Sequence, residues 1–214
     1  GSAALSIQAH DGGSIVRNCR FIGNVGASSA GAVGVHGFSP TPKIVEGCLF
    51  WNNSAPGGNG TGGGLTVSGP TIVRNNTFHG NTATASAGGA AVYFAASFSA
   101  MEFRNNVIAA CGNTGAIMAY QVPLTSACNV FWDNPGGVGQ YYTPGPTDRI
   151  ADPLLCDPLV GDFRVMVGSP CLPDGSIGCG SIGAFGEGCG VISVGRASWG
   201  EIKAAYRGEE GGNR

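Results

Sequence analysis

The first 135 residues offer few side chains for acid–base chemistry. Their only carboxyl groups belong to Asp11, Glu46, Glu102 and Asp133. Cleavage of a glycosidic bond requires two carboxyl groups about 5–10 Å apart, and these four are widely separated along the chain. No Ser or Cys stands in a nucleophile-elbow motif either. We therefore expect no catalytic residue and a protein that is not an enzyme.

Cysteine thiols are the other reactive groups. The chain has 8 cysteines, a number that favours an exported protein over a cytosolic one. Their spacing contains no C-x-x-C pair and the 3 histidines are scattered, so we expect neither a zinc site nor any other cofactor. The cysteines are Cys19, Cys48, Cys111, Cys128, Cys156, Cys171, Cys179 and Cys189.

Four of the cysteines follow residue 150, in a part of the chain where few strands can be recognised. We expect two disulfides there, joining Cys156 with Cys171 and Cys179 with Cys189. Four cysteines allow three pairings, and the sequence does not choose between them.

A repeat of nearly constant length organises the chain up to residue 135. Its apolar anchors Phe21, Phe50, Phe78, Ile108 and Phe131 lie 29, 28, 30 and 23 residues apart. Each unit holds two short strands broken by Gly, Asn and Ser, and it is too short to bury its own hydrophobic face. Stacked on its neighbours, each unit can form one coil of a parallel β-solenoid.

Alignment of the units gives each position a direction, because successive strand side chains point to opposite faces. Cys19 and Cys48 share one inward column, where they could bond or simply stack, and Cys111 and Cys128 could pair across neighbouring coils. No column places two carboxylates on adjacent coils. The inward column is Val16, Val45, Val73 and Phe103, and the outward column is Arg17, Glu46, Arg74 and Arg104. A left-handed bend follows at Asn18, Gly47, Asn75 and Asn105. Each unit closes at Asn24, Asn53, Asn81 or Asn134.

Two short motifs alternate in register with this repeat. Phe21-Ile22-Gly23-Asn24 and Phe78-His79-Gly80-Asn81 match F-x-x-N, and the run from Gly88 to Val92 is close to GGA[ILV]. Together they resemble the polymorphic outer-membrane-protein repeat of secreted right-handed parallel β-helix proteins, which have the broad pectate-lyase-like architecture. The resemblance covers roughly residues 1–135 and implies an all-β, right-handed parallel β-helix.

The resemblance implies little about activity. Lyases of this superfamily carry a calcium-binding cluster of acids and a catalytic Arg, and its hydrolases carry paired Asp on adjacent coils. Neither pattern occurs in the repeats of this chain. The superfamily also contains adhesins, passenger domains and structural fibres, and a fold does not fix a function.

We expect the coils to span residues 1–150 and a terminal coil or cap with the disulfides to span residues 151–190. Its sequence resembles the last coil of many bacterial secreted β-helix proteins, and solenoids need atypical end repeats to cover their last edge. Residues 1–7 align with residues 88–94, so we expect the sequence to begin at the first strand of a coil. A processed chain or a fragment would begin in this way, and so would a chain whose first two residues, Gly-Ser, remain from cloning.

Residues 191–214 form the predicted C-terminal tail. An S-x-x-E capping box at Ser198 begins a short amphipathic helix, with Trp199, Ile202 and Tyr206 on one face. Two turns of helix are not stable alone in water. We therefore expect this face to dock either on the solenoid of its own chain or on a neighbouring molecule.

The formal net charge of -2 gives no reason to expect a nucleic-acid partner, and no run approaches the ~18 apolar residues of a membrane helix. We predict a secreted or cell-surface, bacterial structural protein that self-associates into a fibre or surface layer. The residues expected to carry assembly are Trp199, Ile202 and Tyr206 of the tail and, as the receiving edge, Leu5, Ser6 and Ile7 of the first coil.

Two other functions stay open. The first is a cell-surface adhesin or carbohydrate-binding protein that would hold a surface glycan on its lateral loops and on Tyr141 and Tyr142, which we expect to be exposed. The second is a polysaccharide lyase or hydrolase that has lost or lacks its acidic site.

Overall fold

Three parallel β-sheets, A, B and C, run along the length of the molecule and form a β-solenoid. The predicted all-β solenoid is therefore confirmed. Within the part of the chain described there is no helix, and so none that could cross a membrane; the predicted tail helix lies outside that part. The computed structural model describes residues 3–9, 12–27, 30–57, 60–84, 88–95, 97, 99–112 and 114–189.

Each coil contributes one short strand to each sheet, except that the last described coil adds a strand to sheets A and C and none to sheet B, and the strands pair in parallel with those of the next coil. Sheet A contains β1 (Leu5–Gln8), β4 (Val33–His36), β8 (Leu65–Val67), β12 (Val92–Phe94), β15 (Ile117–Ala119) and β18 (Gly139–Gln140). Sheet B contains β2 (Ile15–Arg17), β5 (Lys43–Glu46), β9 (Thr71–Arg74), β13 (Met101–Arg104) and β16 (Leu124–Ala127). Sheet C contains β3 (Arg20–Ile22), β6 (Leu49–Trp51), β10 (Thr77–His79), β14 (Val107–Ala109), β17 (Val130–Trp132) and β19 (Arg149–Ile150). A two-stranded ladder joins β7 (Ser54–Ala55) to β11 (Thr82–Ala83).

The alternation of the sequence sets the register of sheet B. The predicted inward column is paired from strand to strand, and every member is buried. The predicted outward column carries ion pairs of Glu46 with Arg17 and Arg74. At the bend that follows, Asn18 and Asn75 have φ values of 54° and 51°, the left-handed conformation that Asn tolerates. These three predictions are confirmed.

A ladder of asparagine side chains holds the turn between sheets B and C. Asn76 Oδ1 accepts the N–H of Cys48, and Asn106 Oδ1 accepts the backbone and side-chain N–H groups of Asn76, each at 3.0 Å. Asn129 accepts the same pair of bonds from Asn106. On the last rung Asp148 Oδ1 accepts the backbone and side-chain N–H groups of Asn129 at 2.8 and 2.9 Å. The ladder satisfies buried polar groups from Cys48 to Asn129, and Asp148 ends it.

The predicted apolar anchors stack inside the solenoid. The rings of Phe21 and Phe50 lie 5.1 Å apart and those of Phe50 and Phe78 lie 4.6 Å apart, in both cases nearly parallel. Ile108 and Phe131 continue this column in register. The stack joins the interior of successive coils into one core.

Residues 155–189, the flank segment, lie along the outer face of sheet C. They contain β20 (Leu155–Asp157), β21 (Asp162–Met166) and β22 (Glu187–Cys189), which form a small sheet of their own. Ile182 belongs to a buried cluster with Val130 of β17, and the ring of Phe185 lies 5.5 Å below the guanidinium of Arg20 in β3. The segment therefore reaches from the last coil back to the first along the flank.

The two disulfides connect Cys128 with Cys179 and Cys156 with Cys189. Two disulfides near the C-terminus were expected, but their predicted partners are wrong, since neither Cys156–Cys171 nor Cys179–Cys189 forms. The reason is the course of the flank segment, which brings Cys179 to the bend at Cys128, 51 residues earlier.

The remaining four cysteines carry free thiols. The predicted pairing of Cys111 with Cys128 is therefore also wrong, because Cys128 is already bonded. Cys19 and Cys48 occupy neighbouring positions of one column without a bond. The fourth free thiol is that of Cys171.

Candidate functional site

One outward column of sheet C carries both tryptophans of that sheet. The register places Ile22, Trp51, His79, Ala109 and Trp132 at the same position of successive coils. The residue before each of them belongs to the inward-facing anchor column, so these side chains point away from the core.

The flank segment covers the middle of this column. The ring of Phe163 lies edge-on to Trp51 at 5.2 Å and 5.3 Å from the ring of His79. A Cβ at Gly161 would lie 3.2 Å from the Trp51 ring, so the backbone passes directly over the indole. The Nδ1 atom of His79 is buried without a hydrogen-bond partner, and burial lowers the pKa of His79, which leaves its imidazole neutral at pH 7.

The column is open at its C-terminal end. Trp132 keeps 41% of its surface exposed. Two cavities meet at Trp132 and Asp133, one of about 280 Å³ that reaches Ile150 and one of about 190 Å³ that reaches His79 and Asp152. We call these two cavities together the Trp132 cleft. Each cavity alone is smaller than the roughly 300–1,000 Å³ of typical small-molecule sites.

Two carboxylates line the smaller cavity of the cleft. Strands β17 and β19 pair at Phe131 and Ile150, and Asp133 and Asp152 each follow two residues later. The two side chains therefore leave the same corner of the solenoid on adjacent coils, whose strands are separated by about 4.8 Å. Both are exposed, and Asp152 Oδ1 also accepts the N–H of Leu154 at 2.8 Å.

This pair was not predicted, because acids were considered only up to residue 135 and Asp152 was expected in the terminal coil or cap. The expectation that no two carboxylates stand on adjacent coils concerned residues 1–135 and does not extend to the coil that follows. In the structure Arg149–Ile150 is another strand of sheet C, so Asp152 follows a coil strand just as Asp133 does. A signal was present, since Phe131 and Ile150 are both apolar residues two positions before an Asp, but the interval is shorter than the earlier repeats.

The two tyrosines that were expected to be exposed have different environments. Tyr141 is 70% exposed, and its ring lies edge-on to that of Tyr120 at 4.9 Å. Tyr142 is buried, and its hydroxyl donates to Asp148 Oδ2 at 2.7 Å. The prediction is therefore wrong for Tyr142, which follows a left-handed bend at Tyr141 (φ 51°) and packs in the core, where its hydroxyl lies 2.6 Å from Ser126 Oγ.

The residues predicted to carry assembly are only partly described. Leu5, Ser6 and Ile7 form the edge strand β1 of sheet A, with Leu5 and Ile7 half-buried and Ser6 exposed. The predicted docking residues Trp199, Ile202 and Tyr206 lie outside the described residues. Self-association through the tail stays a prediction.

The free thiols show no sign of activation. Burial raises the pKa of Cys48, Cys111 and Cys171 to about 11 in each case, which suppresses the reactive thiolate. Cys19 alone is exposed. Over the described ranges no group of three or more His, Cys, Asp or Glu is arranged to hold a metal ion.

The fold and the disulfides are compatible with an extracellular structural or binding protein, and this fold alone does not decide between catalysis and binding. Neither the curated proteins nor the solved structures contain a match to this chain. The family model of the right-handed β-helix region matches residues 1–147, and the chain therefore belongs to the right-handed β-helix family.

Proposed function

We propose that the protein is an exported, non-catalytic β-helix that binds a carbohydrate in the Trp132 cleft. The observation that carries this proposal is the exposed indole of Trp132, which stands between two cavities and beside the carboxylates of Asp133 and Asp152. A sugar ring has an apolar C–H face and a rim of hydroxyl groups. The flat indole suits the first, and carboxylate oxygens, which only accept hydrogen bonds, suit the second.

The chemistry of the cleft favours a small polar ligand over a protein surface. Ile150 and Phe131 line the larger cavity together with Asn134, so apolar and polar groups alternate over a short distance. Small-molecule sites typically combine such apolar walls with a few polar groups that fix the orientation of the ligand.

The carboxylates are better suited to holding a sugar than to cleaving it. A catalytic general acid needs a carboxyl group sheltered from water, whereas Asp133 and Asp152 are both exposed. Binding without hydrolysis is therefore the activity that we propose.

The test is calorimetric titration of the chain with oligosaccharides of neutral, acidic and amino hexoses. For any ligand that binds, Trp132→Ala should weaken the affinity about tenfold or more, because buried aromatic contacts dominate such sites. Tyr93→Ala is the matched control, since Tyr93 lies on sheet A between Thr66 and Met118. Product analysis of the same mixtures tests for cleavage.

Three results would contradict the proposal. The first is the absence of binding by any oligosaccharide, and the second is equal affinity of the Trp132→Ala and wild-type chains. The third is the formation of shorter oligosaccharides at a rate that depends on Asp133 and Asp152, because that result would identify a hydrolase.

A further inference from the structure

The Trp132 cleft has an unbalanced charge. Among the described residues that line its two cavities, Asp133 and Asp152 are acidic and none is Lys or Arg. His79, the remaining titratable group in the lining, is neutral at pH 7 because burial lowers its pKa. The cleft therefore presents two negative charges to a ligand.

The cation adjacent to the lining in sequence does not offset this charge. Arg149 precedes Ile150, but its two terminal nitrogens donate to the carbonyl oxygens of Gly175 and Ser176 at 3.0 and 2.7 Å. Its guanidinium is therefore committed to the flank segment and not to the carboxylates of the cleft.

We infer that the ligand is an oligosaccharide of amino-bearing hexoses, in which protonated amines meet Asp133 and Asp152 while a ring lies on Trp132. This inference rests on the proposed function. An ammonium group forms charge-assisted hydrogen bonds to carboxylates, which are stronger than the bonds that a neutral hydroxyl forms. An ammonium over the indole face gains a further attraction from the ring quadrupole.

The same charges select against other sugars. A polymer of uronic acids would place its carboxylates against those of the protein, and like charges brought together at an interface reduce the affinity for the wrong partner. N-acetylation removes the charge of the amine, so an acetylated oligomer keeps the ring contacts but loses the ion pair. The carboxylates therefore set specificity, and Trp132 supplies affinity that all ring ligands share.

The experiment compares four probes of equal length by calorimetry at low and high salt: a glucosamine oligomer, an N-acetylglucosamine oligomer, a galacturonate oligomer and a lysine oligomer. We expect the glucosamine oligomer to bind most tightly and to lose affinity with salt, because exposed charge pairs are screened. Asp133→Asn and Asp152→Asn should each weaken its binding roughly threefold to fivefold. Glu102→Gln on sheet B is the control and should leave binding unchanged.

The outcomes separate this inference from the proposed function. Equal binding of the glucosamine and N-acetylglucosamine oligomers, with no effect of the Asp→Asn variants, would overturn the charge selection but retain a sugar site. Binding of the lysine oligomer as tightly as the glucosamine oligomer would overturn the inference in favour of a cationic peptide. If no sugar probe binds, both the inference and the proposed function are overturned. If the galacturonate oligomer binds most tightly, only the inference is overturned.

Discussion

Trp51 and Trp132 occupy the same column of sheet C but have different surroundings. Trp51 lies under the flank segment, against Phe163 and Gly161. Trp132 lies beyond the covered part of the column and borders both cavities of the cleft. The repeat fixes the direction of a side chain, but the chain packed above it decides whether that side chain stabilises the fold or remains available for a ligand.

Among the described residues, the flank segment lies over sheet C and not over sheet B, so the outer face of sheet B shows a coil surface without that cover. Ile44 and Ile72 stand in one outward column and are only partly buried. The neighbouring column holds Glu46 between Arg17 and Arg74. The outer face of sheet B is therefore held by ion pairs and short aliphatic contacts, whereas the covered part of sheet C has a second apolar core.

The largest expected effect comes from detaching the flank segment. The double variant Cys128→Ser, Cys179→Ser removes the disulfide that holds this segment to the bend after sheet B. At the same bend the carbonyl oxygen of Cys179 accepts a hydrogen bond from Asn105 Nδ2 at 2.7 Å. We expect a loss of about 4 kcal/mol in the free energy of unfolding, the value typical of a disulfide that closes a long loop. Urea denaturation followed by circular dichroism measures it.

Cys19→Ser is the control for that variant, because Cys19 is exposed and unpaired. It should unfold at the wild-type midpoint. A double variant with the same midpoint as this control would show that the flank segment holds its place without the disulfide.

The two tryptophans provide the most direct test of the comparison. Trp51→Ala should lower the free energy of unfolding by about 2–4 kcal/mol, because it leaves a void beneath Phe163. Trp132→Ala should lower it by less than about 1 kcal/mol, since an exposed side chain loses little packing. Equal losses in urea denaturation would contradict the assignment of a packing role to one and a binding role to the other.

The sequence was a good guide to the coils and a poor one to everything packed on them. The inward direction of Val45 and the bend at Asn75 followed from residue type and period, because the same local interactions recur in each coil. Burial of Lys43, whose Nζ donates to the carbonyl of Gly37 at 2.6 Å, could not be anticipated, because Lys seldom points into a core.

The carboxylate pair of the Trp132 cleft was not predicted because it depends on contacts outside the regular repeats. Asp152 reaches the cleft because a strand of only two residues, Arg149–Ile150, adds another rung to sheet C. The disulfide between Cys128 and Cys179 depends on how a segment without repeats folds back along the flank. The disulfide contact has no local signature. The only signal for Asp152 is an apolar residue two positions before an Asp, at an interval shorter than the earlier repeats, so the repeat pattern did not reveal it.

The smallest effect is expected on the uncovered face of sheet B. Burial alone would raise the pKa of Glu46, but hydrogen bonds from Arg74 and Arg17 outweigh it, and the pKa is lowered. A lowered pKa in the folded state means that Glu46 contributes stability above the ordinary glutamate pKa of about 4.3 and loses that contribution as the pH falls below it.

Glu46→Gln should therefore reduce the free energy of unfolding by about 0.5–1 kcal/mol at pH 7, because surface ion pairs are weak, and its deficit should vanish in acid. Glu102→Gln is the matched control, because the ion pair of Glu102 with Arg104 is long, at 3.4 Å. This variant should have nearly the wild-type free energy of unfolding at both pH values. Urea denaturation at pH 7 and pH 3 measures both. If Glu46→Gln lost as much free energy of unfolding as Trp51→Ala, the ion pairs of sheet B would stabilise the fold as much as the packing of the flank segment on sheet C. That result would contradict the contrast between the two faces.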